Sequence, residues 1–146
     1  MALPAEQRSV QARWDGGMRA VVTAGRFEIV VDEPESSGGA DTGPQPTDYL
    51  LTSAASCFTL AMAWVAAKRG LELPGLAVRA TGTYEGMRFA HIAMAVIADV
   101  PPGVLEGLIP HAERVCYVTN TLRHSPQLEV SVGSTDEART GGENAP

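Results

Sequence analysis

The chain has 146 residues, a formal net charge of -6 and 45% hydrophobic against 19% charged residues, the profile of one globular domain able to bury a core without disulfide or metal staples. A pI near 5.0, with only 11 Lys and Arg, excludes a phosphate-backbone partner, so neither DNA nor RNA is an expected ligand. The opening MALPAEQRSVQARW lacks the apolar core of a secretory signal, which makes cytoplasmic residence the expectation.

Met18 to Ala24 and Phe27 to Val31 are β-prone runs about a glycine turn and predict a hairpin. Asp32 to Pro46, DEPESSGGADTGPQP, cannot continue a strand or a helix and reads as a long surface loop, a candidate rim for a site. Pro46 suits a first helical turn, Thr47 or Asp48 can cap or complement the positive helix end, and Lys68, Arg69 and Gly70 are suitable terminators. Between them lies a helix of about twenty residues, apolar nearly all round. Thr52, Ser53, Ser56, Thr59 and many alanines dilute it, so a central core helix is expected rather than a membrane span, enclosed by a second copy of the chain.

Leu76, Val78 and Ala80 alternate with polar residues, Tyr84-Glu85-Gly86 forms a turn, and Ile92, Met94 and Val96 alternate again, which predicts a second hairpin. After Pro101-Pro102, apolar positions from Val104 to Cys116 recur at helical spacing, and Pro110 predicts a kinked or two-part helix. Leu128 to Val132 reads as a last strand, and residues 134–146 as a disordered tail after a single domain over 1–133. The class is α+β with the order β-β-α-β-β-α-β.

Two cysteines in a reducing compartment are core hydrophobes, metal ligands or redox thiols more often than a structural bridge. Cys57 and Cys116 lie too far apart for a compact zinc motif, and His91, His111 and His124 are scattered singly, so no metal site is expected. His111, five residues before Cys116 (116 minus 111), does not share its helix face, which weakens a Cys/His hydrolytic pair. On residue type alone, Cys57 reads first as a small buried hydrophobe, and its sequence context argues for more.

GADTGPQPTDYLLTSAASCF, around Cys57, resembles the first active-site segment of the OsmC/Ohr family, and AERVCYVTNTL, around Cys116, resembles the stretch about that family's second cysteine. FEIVVDEPESSGG resembles its second strand and following loop, so the likeness runs from Met18 to Val132. The resemblance implies an OsmC-like intertwined homodimer with long, buried central helices, and hydroperoxide reduction without a bound cofactor. It further implies that Cys57 is the peroxidatic thiol, that Cys116 resolves its sulfenic acid to a disulfide, and that a small thiol or dithiol resets the pair.

Burial raises a cysteine pKa, so such chemistry needs a neighbouring cation. Arg19, in GGMRAVVTAGRF, best matches the family's N-terminal arginine, with Arg26 as runner-up. The family glutamate is replaced by Thr47, and Asp48 is the nearest carboxylate. Nine residues separate Asp48 from Cys57 (57 minus 48), which at about 3.6 residues per turn points them to opposite sides of a helix. Trp14, Trp64, Tyr49, Phe58, Phe89 and Met94 are candidates for an apolar groove or for core packing. Two other readings are a non-peroxidatic protein binding a small apolar or thiol-bearing ligand, and an enzyme forming a covalent acyl or persulfide adduct on Cys57.

Overall fold

The computed structural model describes residues 6–140, which fall into two compact units, residues 6–46 with 129–140 and residues 47–128.

The first unit carries an antiparallel sheet in the order β1 (Gln11–Trp14), β2 (Ala20–Ala24), β3 (Phe27–Val31). The hairpin of β2 and β3 forms as its alternation predicts, in register from Ala20 opposite Val31 to Ala24 opposite Phe27. Its two-residue turn needs a backbone that only glycine adopts freely, and Gly25 supplies it at φ 60°. β1 was not expected, because QARW has no apolar alternation; it forms by pairing with β2, Gln11 opposite Thr23 and Trp14 opposite Ala20.

The 32–46 loop is folded around a buried carboxylate. Asp32 accepts hydrogen bonds from the Glu33 amide (2.8 Å), the Thr42 amide (3.1 Å) and the Thr42 hydroxyl (2.6 Å). Satisfying a buried anion from both ends of the loop closes it, and the Asp32 amide donates to the Pro44 carbonyl at 3.2 Å. Thr42 foremost, through its hydroxyl and then its amide, holds the Asp32 pKa down from 3.8 to about 2.

Two expectations for the C-terminal stretch are corrected. Residues 128–132 form no strand, because no neighbouring strand offers a ladder: Leu128 is 88% exposed, Val130 91% and Val132 101%. The tail is ordered in part, since α4 (Glu137–Thr140) is opened by a capping box. The Ser134 hydroxyl accepts from the Glu137 amide at 3.2 Å, and the Glu137 carboxylate accepts from the Ser134 amide at 2.7 Å. The remainder of the expected disordered tail, residues 141–146, lies outside the described residues.

The second unit holds α1 (Pro46–Lys68), the hairpin of β4 (Ala77–Glu85) and β5 (Arg88–Ile97), α2 (Val104–Val115) and α3 (Tyr117–Arg123). Among the described residues, α1 is the one helix long and apolar enough to cross a membrane by length and composition. Here it supplies a core. Ala54, Phe58, Met62 and Ala66 recur every fourth residue along its buried ridge, joined by Ala61 and Val65. Against them stands a ridge of the same period on α2, Leu108 and Ala112, continued at Cys116. The sheet closes the cluster with Val78, Met94 and Val96, the inward positions expected of the second hairpin.

On the opposite side of α1, Leu60 is 70% and Trp64 54% exposed among the described residues. The start of α1 is tied to the hairpin by a 2.6 Å hydrogen bond between Thr47 and the Tyr84 hydroxyl. Tyr84 is in turn stacked on Phe89, with ring centroids 4.5 Å apart.

The helical stretch after Pro102 has two parts, but not at Pro110. α2 runs through that proline, forgoing one backbone hydrogen bond, and the break comes at Cys116, whose backbone is extended (φ -84°, ψ 105°) between α2 and α3.

Candidate active site

Cys57 projects from the flank of the α1 ridge, one residue before the buried Phe58, and is half-buried. Cys116 caps α3 and is fully buried at 0% exposure. Both are free thiols, and the fold unites them: Cys57 packs against the core cluster that holds Cys116, close enough for the Cys116 thiol to raise its pKa. Residues 59 apart (116 minus 57) meet because the α1 ridge, with Cys57 on its flank, packs in one cluster with the α2 ridge that continues at Cys116.

The break at Cys116 has a second effect. The first amides of a helix have no partner within it, and those of Val118 and Tyr117 are aimed at the Cys57 sulfur. These backbone donors act to lower the Cys57 pKa, while burial, foremost, and the Cys116 thiol raise it. The raising influences prevail, so the thiol at rest stands above its ordinary 9.0. No sequence motif announces the two amides, since every residue but proline carries one.

Cys57 opens onto a cavity of about 650 Å³, mostly apolar, walled by Leu60, Trp64, Val115 and Tyr117, with Arg114 and Asn120 as its polar residues. Asn120 donates to the Arg114 carbonyl at 3.3 Å, linking α3 back to the end of α2. The Arg114 guanidinium also donates to Nδ1 of His111, so that imidazole nitrogen is an acceptor and the ring neutral. Sequence reasoning passed over Arg114, although it lies two positions before Cys116 in AERVC.

The other expected site residues lie elsewhere. Asp48 sits exposed in the first turn of α1 and borders a shallow depression with Leu51, Thr52, Ala55 and Ala80, apart from the Cys57 cavity. On the unbroken helix the two point to opposite sides, as the spacing requires. Arg19 belongs to the first unit, where its guanidinium pairs with Asp15 at 3.0 Å and donates to the Thr42 hydroxyl at 2.8 Å. Arg26 stacks over Phe27, 5.0 Å from the ring centroid.

Of the apolar candidates, Trp64 lines the Cys57 cavity and Phe58 is core. Phe89 and Met94 border a separate cavity of about 410 Å³. Trp14 is exposed in the first unit, donating to the Gly17 carbonyl at 3.0 Å. Among the described residues no cluster of His, Cys, Asp and Glu is arranged to hold a metal ion.

The family model described as OsmC-like protein matches residues 38–131. An organic hydroperoxide resistance protein from Elizabethkingia anophelis shares the fold at a TM-score of 0.62 and 22% identity, over 83% of this chain and 91% of that one. An organic hydroperoxide resistance protein OsmC from Legionella pneumophila aligns at 0.60 and 19% identity, over 81% and 90%. An OsmC-like protein from Mycoplasma pneumoniae aligns at 0.68 and 18%, over 88% and 95%. No curated protein sequence matches the chain.

Proposed function

The chain belongs to the OsmC-like protein family, and from that membership and its paired thiols we propose that it is a thiol-dependent peroxidase reducing organic hydroperoxides or hydrogen peroxide. One observation carries the reading: Cys57 faces an apolar cavity and packs against the core cluster that holds a second, buried thiol. A hydroperoxide entering that cavity meets one sulfur, and the product of the attack meets the other.

In this reading the Cys57 thiolate attacks the outer peroxide oxygen, the O–O bond breaks, and the departing alkoxide takes a proton to leave as alcohol or water. Cys57 is then a sulfenic acid. The Cys116 sulfur displaces its hydroxyl as water, forming the Cys57–Cys116 disulfide, and an external thiol or dithiol returns both sulfurs to the thiol state. The amides of Tyr117 and Val118 stabilise the thiolate. Arg19 as the assisting cation, and Asp48 as its carboxylate, rest on the family resemblance alone.

A homodimer is part of the proposal, supported by the exposed apolar flank of α1 at Leu60 and Trp64, which a second copy would cover. The reductant requirement supports a cytoplasmic setting.

A second reading, non-peroxidatic binding of a small apolar or thiol-bearing ligand with Cys57 as a passive wall, is favoured by the raised Cys57 pKa. Thiol titration before and after an equimolar dose of tert-butyl hydroperoxide separates the two. The peroxidase loses both thiols, Cys116→Ser accumulates sulfenic acid at Cys57, and Cys57→Ser is inert. Thiols that survive in all three proteins would establish the binding reading instead.

A further inference from the structure

In the first unit a buried carboxylate and an arginine are joined through one hydroxyl. The Thr42 hydroxyl lies 2.6 Å from Oδ2 of Asp32 and 2.8 Å from Nη1 of Arg19. A hydroxyl has a single proton, and a buried carboxylate that its neighbours keep ionised can only accept it. The proton of Thr42 is therefore committed to Asp32, and its oxygen is left to accept from the guanidinium. Every hydrogen bond in the row Arg19, Thr42, Asp32 thus runs in one direction, an order in which each bond polarises the next.

Thr42 is a fixed point, because its amide bonds the same Asp32 oxygen at 3.1 Å while the Glu33 amide holds the other at 2.8 Å. The backbone of Arg19 is fixed as well. Its amide donates to the Gly16 carbonyl at 3.1 Å and its carbonyl accepts from the Asp15 amide at 3.0 Å, across a turn whose Gly16 and Gly17 stand at φ 93° and 54°. From that turn the Asp15 carboxylate also pairs with Nε of Arg19 at 3.0 Å, but so exposed an ion pair does little to keep a long side chain in one orientation. The bond to Thr42, backed by a buried anion, supplies the firmer hold. Held at Nε and Nη1, the guanidinium has its plane set, and among the described residues Nη2 is left without a partner. Arg26 has no such anchor among the described residues; it is exposed and lies over the Phe27 ring.

We propose that Thr42, anchored by Asp32, is a positioning residue that holds Arg19 with the Nη2 edge of its guanidinium presented to an anionic reaction partner, the thiolate or the peroxide oxygen. The 32–46 loop is on this proposal the mount of a cation, and closing it on Asp32 is what makes the mount rigid. That the presented edge serves catalysis rests on the peroxidase reading; the hold itself is measurable without any redox step.

Thr42→Val keeps the shape of the side chain and removes the hydroxyl, whereas Thr42→Ser keeps the hydroxyl. Stopped-flow measurement of thiol loss to tert-butyl hydroperoxide should show Thr42→Val slowed about tenfold, the loss expected of one charge-assisted hydrogen bond, and Thr42→Ser restored to within about twofold of the parent. In an Arg19→Ala background, Thr42→Val should still lower the melting midpoint, because Asp32 loses the same donor, but should leave the rate unchanged. A Thr42→Val rate equal to that of the parent, or an equal slowing with and without Arg19, would overturn the proposal. The parent protein carries a second test, which a misfolded variant cannot obscure. In nitrogen-15 NMR the two Nη resonances of Arg19, assigned by their absence in Arg19→Ala, should be resolved from each other because rotation about the Nε–Cζ bond is blocked; a single averaged resonance would overturn the hold. A parent whose thiols survive peroxide would retire the peroxidase reading, with the NMR signals still deciding the hold, and thiol loss indifferent to Thr42 would retire the positioning role alone.

Discussion

Leu108→Ala tests whether the ridge of α2 is what brings the two sulfurs together. Leu108 is 1% exposed and packs in one cluster with Phe58 and Met62 of α1, eight residues before Cys116 on the same ridge (116 minus 108). Truncating a leucine at such a site removes its transfer free energy and leaves a cavity that rigid neighbours cannot fill, together about 3 kcal/mol. At roughly 2–4 °C per kcal/mol for a chain of this size, the melting midpoint should fall by about 6–12 °C. Leu108→Met keeps the volume and should lose less than about 1.5 kcal/mol.

Denaturant titration followed by far-UV circular dichroism measures both losses, and the slope should stay unchanged if the folded states are alike. Peroxide treatment of the folded Leu108→Ala protein should give slower disulfide closure, with sulfenic acid persisting at Cys57, because the end of α2 is less firmly held. A midpoint within about 2 °C of the parent would refute the packing argument. A large loss of stability with disulfide closure unaltered would refute the link from ridge to sulfur pair.

Asp32 gives the acid side of the stability profile. Its folded pKa, about 2, lies below the ordinary 3.8, so the unfolded chain takes up the proton first. The contribution is therefore whole above pH 3.8 and lost as pH falls toward 2; Asp32→Asn should flatten the melting curve over that window and lower the midpoint at neutral pH. His111 acts with the same sign in a higher window: its lowered pKa means that the unfolded chain protonates first as pH drops below 6.5, costing stability, and Arg114→Ala should move its NMR titration upward. Gly82→Ala would set a Cβ 2.5 Å from the Phe89 ring, so the ring must swing off Tyr84; about 1–3 kcal/mol should be lost in thermal unfolding. Arg19→Ala should slow peroxide-driven thiol loss measured by stopped flow, and an unchanged rate would remove Arg19 from the mechanism.

What the sequence discloses here depends on whether a residue's role is carried by its side chain alone. Val78, Met94 and Val96 disclose their strands because an inward face requires apolar side chains at every second place. Leu128, Val130 and Val132 show the same alternation and form no strand, because a ladder needs a neighbour that the pattern does not provide. Gln11 to Trp14 is the converse, a strand imposed by β2 on residues without the pattern.

At the site, the cysteines are legible by type and context, and their meeting follows from the packing of the α1 and α2 ridges, one beside Cys57 and the other continued at Cys116. The amides of Tyr117 and Val118 are not legible, being common to all residues, and neither is the choice of Cys116 over Pro110 as the place where the helix breaks. Arg114 was in plain view but unmarked, since the far wall of its cavity is made by residues fifty and more positions earlier, Cys57 and Trp64 among them.

Because the residue that breaks α2 from α3 is itself one of the thiols, α3 is hinged on an oxidisable atom. In the proposed disulfide that sulfur would pull on the peptide from which α3 starts, and the amides of Tyr117 and Val118 would move with it. Oxidation by the proposed route would then be a mechanical event at residues 117–123, and faster hydrogen exchange there in the disulfide form would make this short helix a built-in reporter of the redox state of the chain.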